Sequence, residues 1–185
     1  MVAINKLVIV LAALLCVSAC QKALDKETVL FDFETDTELD RLHWSCHTLF
    51  SLSDDHATRG AKSLKMELFP SAYPGLATEP RASDWRGYHE VCFDAYNPMD
   101  TSVRIEVRID DQKNFPEYED RYNKSFVLKR WSNRIVIPLE TLASSGTNRP
   151  LNLGRICRLF IFMNHPAQRT ILFVDNISLL HKLNK

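Results

Sequence analysis

The feature that most constrains this sequence is the alternation of apolar and polar residues in short runs. The clearest run is Val103–Asp110, in which four aliphatic residues alternate with Arg104, Glu106, Arg108 and Asp110. Successive side chains of a β-strand point to opposite faces of its sheet, so this spacing predicts a strand with one buried and one solvated face. Similar runs bounded by turn residues lie at 29–34, 44–52, 64–68, 91–95, 125–128, 134–137, 158–163 and 170–180.

This many short strands in a chain without a long helical repeat are typical of an antiparallel sandwich or barrel. We predict an all-β fold, an antiparallel β-sandwich of the jelly-roll type. Residues 29–182 are expected to form its single domain, with one short helix at Leu139–Ala143. A chain of 185 residues is long enough to bury a substantial core.

The N-terminal residues have the pattern of an export signal. Leu7–Leu15 is an unbroken apolar run, too short to cross a bilayer as a helix but suited to the centre of a signal peptide. Val17-Ser-Ala-Cys20 follows and resembles a bacterial lipobox, in which the cysteine is lipidated. We therefore expect a lipoprotein signal peptide at 1–19, and a lipidated Cys20 that begins a tether over 20–28.

The lipobox also implies a location. Gln21 follows the cysteine, where an aspartate would favour retention in the inner membrane. The resemblance therefore implies an exported protein that is anchored through its N-terminal lipid to a bacterial membrane, the outer membrane of the cell envelope. The alternative is an ordinary signal peptide that is cut near Ala19.

The charge of the chain is balanced, with 23 Lys+Arg against 23 Asp+Glu. Proteins that bind nucleic acid in general carry a basic excess, so no nucleic-acid partner is expected.

Three cysteines remain when the two near the leader are set aside, and they are Cys46, Cys92 and Cys157. An odd number allows at most one internal disulfide. Each lies in an apolar run, where a buried free thiol behaves as a small hydrophobic side chain. Three free thiols and one disulfide of unassigned pairing both remain open.

Five short motifs appear in order between residues 29 and 180. They are Phe31–Glu34 (FDFE), His56–Leu64 with its GAKSL turn, Trp85–Pro98, Trp131–Leu139 and Leu172–Ile177 (LFVDNI). In this order they resemble the galactose-binding-like carbohydrate-binding modules, among them the family 11 modules and the related domain of complex I intermediate-associated protein 30. The resemblance implies a β-sandwich that binds a polysaccharide or oligosaccharide without cleaving it.

The same resemblance implies a structural calcium ion between the opening and closing strands. Glu34 and Asp175 match its carboxylate positions, and Asp32 is a further candidate ligand. Calcium prefers several oxygen ligands, mixing carboxylates with backbone carbonyls. The alternative is that Asp175 caps a turn and Glu34 is solvated. No catalytic cofactor is expected.

The resemblance also places the binding face on the polar side of the Val103–Asp110 strand and on the stretch that follows it. The expected ligand-binding residues are Arg104, Arg108, Asp110, Tyr118, Asp120, Arg121, Tyr122, Trp85 and Tyr88. Aromatic rings stack on sugar rings, and arginine binds hydroxyl or carboxylate groups in bidentate fashion. Two alternatives stay open: a solvated sheet face with cross-strand charge pairs, and a tryptophan that belongs to the core.

No catalytic residues are assigned, because G-x-S-x-G, H-E-x-x-H and glycine-rich phosphate-binding motifs are absent from the sequence. We expect a protein that is not an enzyme. One alternative function is a protein–protein interaction module that assembles with an envelope protein. A less favoured one is a polysaccharide lyase or hydrolase, with a catalytic set drawn from His89, Arg108, Arg121 and Tyr122.

Overall fold

The computed structural model describes residues 27–44 and 46–181. The predicted signal peptide, the predicted lipidation of Cys20 and most of the predicted tether lie outside these residues. Within the described ranges, no helix has the length and apolar character needed to cross a membrane.

Eleven strands and one short helix follow one another along the chain. They are β1 (Glu27–Phe31), α1 (Asp36–Leu39), β2 (Leu42–Trp44), β3 (Thr48–Ser53), β4 (Ser63–Leu68), β5 (Gly75–Thr78), β6 (Tyr88–Asn97), β7 (Val103–Asp110), β8 (Tyr122–Leu128), β9 (Trp131–Pro138), β10 (Arg158–Phe162) and β11 (Thr170–His181). Two single 3-10 turns lie at Tyr118–Asp120 and Leu153–Arg155.

The strands form two antiparallel sheets, which confirms the predicted β-sandwich of the jelly-roll type. Sheet A has six strands in the order β3-β4-β11-β6-β9, and β1 pairs with the second half of β11. Sheet B has five strands in the order β2-β5-β10-β7-β8. The long closing strand β11 therefore joins the two ends of the domain, because it pairs with β1, β4 and β6.

The core lies between the inward faces of the two sheets. On β7 the aliphatic side chains Val103, Ile105, Val107 and Ile109 are all buried in it, as the alternation predicted. Trp85 closes the core from the segment before β6, and its indole N–H donates to Ala82 O at 2.8 Å. Burying these faces supplies the main driving force for folding.

Two predicted elements differ in the structure. Leu139–Ala143 is not a helix: Leu139 N donates to His89 O at 2.8 Å, and Ala143 forms an isolated bridge with Pro150. The domain also begins earlier than predicted, because Glu27 and Thr28, which were assigned to the tether, pair with β11. In both places, pairing with distant strands overrides a weak local pattern.

The run at 44–52 is two strands in different sheets. β2 pairs with β5 in sheet B, whereas β3 pairs with β4 in sheet A. His47 lies between them with a positive φ of 44°, so the chain turns there. The alternation continues across the turn because both strands bury one face in the same core, and a sequence pattern does not show the change of sheet.

The three cysteines of the domain are free thiols. Burial raises the pKa of the Cys92 thiol and of the Cys157 thiol. Since the thiolate is the reactive form, the raised pKa lowers the reactivity of both thiols near neutral pH. The structure therefore agrees with the first of the two alternatives for the cysteines.

Candidate functional site

The outer face of sheet B carries an open groove made of two adjoining cavities. We call them cavity I, of about 570 Å³, and cavity II, of about 550 Å³. Both are lined by Arg108, which stands at the boundary between them. Arg108 points outward because its neighbours Val107 and Ile109 on β7 are buried on the opposite face.

Cavity I is lined by outward side chains of β10 and by the loop after β7. Arg158 and Phe160 come from β10, and Lys113 and Phe115 come from the loop. The Arg158 guanidinium lies over the Phe115 ring, with Cζ 3.9 Å from the ring centroid. Arg158 also donates from Nη2 to the carbonyls of Gln112 and Lys113, which ties the loop to the sheet.

Cavity II has the same combination of a guanidinium and an aromatic ring. Arg121 and Tyr118 line it, and Arg121 Cζ lies 5.4 Å from the centroid of the Tyr118 ring. On the other side, Tyr73 packs edge-on against Phe162, with ring centroids 5.9 Å apart. Asn123 adds an amide group from β8.

Three aromatic side chains of the groove are open to solvent. The exposed fraction is 73% for Phe115, 58% for Tyr118 and 43% for Tyr73. Rings held in this way at the rim of a concave site are suited to stacking on a flat, partly apolar ligand.

A buried carboxylate holds the guanidinium groups of the groove in place. Asp110 is 0% exposed and accepts two hydrogen bonds from Arg108, from Nε and from Nη2, each of 2.7 Å. Arg158 Nε lies 3.7 Å from Asp110 Oδ2 on the neighbouring strand. A bidentate pair of this kind fixes the plane of the guanidinium, so Arg108 is oriented before any ligand arrives.

A second network holds the loop that carries Phe115 and Tyr118. Arg149 donates to both oxygens of Asp111 at 2.8 and 2.9 Å, and from Nε to Asp120 at 2.6 Å. Asp111 also accepts Asn152 N at 2.7 Å. Burial alone would raise the pKa of Asp111, but the hydrogen bonds from Arg149 and Asn152 outweigh it and lower the pKa.

This network predicts a pH-dependent stability. The lowered pKa of Asp111 in the folded protein means that its stabilising effect is complete above the unfolded pKa of about 3.9 and is lost as the pH falls through the folded value. At neutral pH, Arg149→Met should lower the free energy of unfolding by about 1–2 kcal/mol, because Arg149 is itself partly solvated. Urea titrations between about pH 2 and pH 7 should show this difference shrinking with acid.

Arg130→Met is the matched control for that measurement. Arg130 pairs with Asp100 at 3.1 Å, and both side chains are solvent-exposed. Its substitution should change stability by less than about 0.5 kcal/mol at every pH. If the free energies of unfolding of wild type and Arg149→Met differed by the same amount across the pH range, the role given to Asp111 would be contradicted.

The structure brings some of the sequence-predicted binding residues together. Arg108, Tyr118 and Arg121 line the groove, and Asp110 lies beneath Arg108. Arg104 is exposed on β7 but lies outside both cavities. Asp120 binds Arg149 and Gln112, so it supports the loop rather than facing the groove.

Three other predicted binding residues lie elsewhere, and their assignment to the binding face is corrected. Trp85 and Tyr122 are buried in the core, and burial raises the pKa of Tyr122 to about 12. Tyr88 begins β6 in sheet A and contacts the ring of His181. The stretch Tyr118–Tyr122 therefore contributes its first tyrosine to the groove and its last to the core, since the chain enters β8 at Tyr122 with that ring turned inward.

The residues considered as a catalytic set of a lyase do not form one site. His89 lies on β6 in sheet A, beside Glu90, whereas Arg108 and Arg121 line the groove of sheet B. Trp131, the first residue of the fourth sequence motif, is 48% exposed on β9 of sheet A, near Arg130.

Sequence reasoning missed several groove residues. Phe160 and Phe162 lie in the continuous apolar run of β10, where no alternation marks the outward positions. Pairing of Phe160 with Arg108 on β7 places both on the same outer face. Tyr73 and Phe115 lie in loops, where spacing carries no information about the direction of a side chain.

The residues proposed for calcium form contacts of a different kind. Glu34 Oε1 accepts hydrogen bonds from the backbone N–H groups of Ala61 and Lys62, at 2.9 and 2.7 Å. Asp175 accepts the N–H groups of Thr58 and Arg59, at 2.6 and 2.8 Å. Backbone N–H groups directed at a carboxylate occupy the positions that a cation would need.

The third candidate, Asp32, lies beside the carboxyl group of Glu38. Burial raises the pKa of Glu38, and the side chain of Asp32 adds to this effect. Among residues 27–44 and 46–181, no three His, Cys, Asp or Glu side chains are grouped as ligands for one metal ion. As placed, Glu34 and Asp175 fit an anchor for the loop before β4 better than a calcium site, and calcium stays a prediction.

At the level of sequence, no protein-family model and no curated protein matches the chain. Solved structures do match. A family 11 carbohydrate-binding module from Clostridium thermocellum, in complex with a β-1,3-1,4-mixed-linked tetrasaccharide, has a TM-score of 0.66 and 18% identity, over 86% of this chain and 98% of that one.

Parts of larger enzymes are similar as well. An exo-β-agarase matches with a TM-score of 0.68 and 18% identity, over 85% of this chain but 26% of its own. The CBM22-1–GH10 modules of a Clostridium thermocellum xylanase, complexed with xylohexaose, match with a TM-score of 0.57 and 13% identity, over 86% of this chain and 29% of that one. At these identities the likeness shows the fold, and the resemblance to family 11 carbohydrate-binding modules is confirmed at that level.

Proposed function

We propose that this protein binds a polysaccharide or oligosaccharide in the groove of sheet B without cleaving it. The observation that carries the proposal is the open groove itself, in which exposed rings stand beside oriented guanidinium groups. Stacking on Tyr73, Phe115 and Tyr118 would hold the flat faces of sugar rings, and the polar side chains between them would bind hydroxyl groups. The solved complexes of similar fold with a tetrasaccharide and with xylohexaose support this reading.

The location proposed for this activity is the bacterial envelope. The lipobox at Val17–Cys20 supports export, lipidation of Cys20 and anchoring to the outer membrane. A lipid on the first mature residue would hold the groove near the membrane surface through the short segment before Glu27. The glycan is then the proposed partner of the domain, and the membrane is the partner of its N-terminus.

A substitution in one exposed ring tests the proposal. Tyr118→Ala should weaken glycan binding by about five- to tenfold, which corresponds to the loss of one stacking contact of about 1 kcal/mol. Because Tyr118 is exposed, the fold should be unaffected. The measurement is a glycan-array screen of the purified protein, followed by titration calorimetry with the best ligand.

Trp131→Ala is the matched control, since Trp131 is also an exposed ring but lies on the opposite sheet. It should leave the affinity unchanged. Silence of the wild-type protein across neutral and acidic glycans would contradict the proposal. An envelope protein that co-purifies with the chain and is lost in Tyr118→Ala would then favour the interaction-module alternative.

A further inference from the structure

Two arginines of the groove have donors that no protein atom uses. Arg121 Nε and Arg158 Nη1 are buried and lack a hydrogen-bond acceptor among the residues that the structure describes. A buried donor without an acceptor destabilises the free protein, so such a group in a concave site points to an acceptor that arrives with a ligand. Arg108, between them, already has two donors on Asp110.

The groove is also positively charged, although the chain as a whole has no net charge. The charged side chains that line the two cavities are Arg108, Arg121, Arg158 and Lys113 against Glu79 and Glu106. Asp110 adds a negative charge, but it is fully buried beneath Arg108 and beside Arg158. Glu106 accepts a hydrogen bond from Ser125 Oγ at 2.6 Å.

The surroundings of Arg121 favour an added anion. Partial burial lowers the pKa of Arg121, and the positive charge of Arg108 lowers it further. Together they outweigh the carboxylates of Asp110 and Glu117, which raise it. The two lowering effects mean that this guanidinium lacks part of its hydration and faces like charge. A carboxylate or sulfate placed beside it would relieve both.

We propose that the groove selects an acidic polysaccharide, whose anionic groups bind Arg121 in cavity II and Arg158 in cavity I. This inference rests on the proposed function and names the class of its ligand. A free anion would use the guanidinium groups alone, but each of these arginines lies against an exposed ring, Tyr118 or Phe115. The repeated pair of ring and cation on either side of Arg108 suits a chain of sugar units that each present a ring face and an anionic group.

Titration calorimetry with polygalacturonate and with fully methyl-esterified polygalacturonate tests the inference. The two polymers differ in the carboxylate charge and share the sugar backbone. We expect polygalacturonate to bind about tenfold more tightly or better, because charge-assisted hydrogen bonds are stronger than neutral ones. Its affinity should fall as ionic strength rises from about 50 to 500 mM, since salt screens the groove.

Dextran sulfate distinguishes a sulfate ligand from a carboxylate ligand. Binding of both dextran sulfate and polygalacturonate assigns anionic sugars in general, and binding of polygalacturonate alone assigns the carboxylate.

Arg121→Gln should remove most of the preference for polygalacturonate, because it should weaken the binding of that polymer by a larger factor than the binding of the esterified one. Arg158→Gln should do the same, and the exposed Lys113→Gln serves as a second test in cavity I if Arg158→Gln does not fold. Arg130→Gln is the control, because Arg130 also lies over an exposed ring, Trp131, but on sheet A. The Arg130→Gln variant should prefer polygalacturonate over the esterified polymer as strongly as the wild type does.

Equal or tighter binding of the esterified polymer would overturn this inference and leave the proposed function standing. Equal binding of double-stranded DNA would overturn it too, because DNA would report charge alone. If neither these polymers nor neutral glycans such as agarose and mixed-linked β-glucan bind, the proposed function fails together with the inference.

Discussion

Asp110→Ala should lower the free energy of unfolding by about 3–5 kcal/mol, the cost of breaking a buried ion pair by removal of one partner. Arg108 and Arg158, whose side chains are each 10% exposed, would keep their charges without the carboxylate between them. Urea unfolding at pH 7 measures the effect. Asp110→Asn should lower the free energy of unfolding by less, because the amide keeps one acceptor for the Arg108 donors.

Glu106→Ala is the matched control for Asp110→Ala. Glu106 lies on the same outer face of β7, but it is partly exposed and accepts one hydrogen bond from Ser125. Its removal should cost about 1 kcal/mol or less. A loss for Asp110→Ala no larger than that would mean that water reaches the two guanidinium groups, and that the groove is less rigid than the structure indicates.

Asp175→Ala should lower the free energy of unfolding by about 2–4 kcal/mol. Asp175 is 2% exposed on β11 and accepts the backbone N–H groups of Thr58, Arg59 and Asn176, together with the Thr58 hydroxyl. Without it, the loop before β4 loses its attachment to the closing strand. Thermal melts measure the loss of global stability. Hydrogen exchange of the loop amides measures the release of the loop from the closing strand.

Asp55→Ala is the control, because Asp55 is an exposed carboxylate of the same loop. It should change stability by less than about 0.5 kcal/mol. A loss for Asp175→Ala within that range would contradict its role as the anchor of the loop.

The same melts decide the calcium prediction. A cation that binds only the folded protein raises its melting temperature. Wild-type melts that differ between calcium and a chelator, with no difference in Asp175→Ala, would place calcium at this carboxylate. Superimposable wild-type melts would remove the calcium prediction and leave the direct hydrogen bonds as the link between the loop and β11.

The groove residues show which side-chain directions a local sequence pattern can predict. The alternation over Val103–Asp110 was sufficient to predict that Arg108 and Ile109 lie on opposite faces of the sheet, with Ile109 in the core. It did not predict that Arg108 is buried on the outer face, where it pairs with Asp110. The same reasoning placed Tyr122 on the wrong face. Strand β8 begins at that residue, and no local signal shows which face of the sheet its first side chain takes. For Trp85 the sequence left both the binding face and the core open, and the structure places the ring in the core.

The sequence by itself determined the fold class, because a period of two residues with one apolar face allows a two-layered β-structure and little else. It also determined the order of motifs that marks the opening and closing strands. The membership of the site was decided by the tertiary structure. Arg158 reaches Asp110 through the pairing of β10 with β7, and Tyr73, in the loop before β5, reaches Phe162 at the end of β10. These residues are distant along the chain, and their meeting depends on strand order and register, which arise from packing of the whole core rather than from any local run of residues.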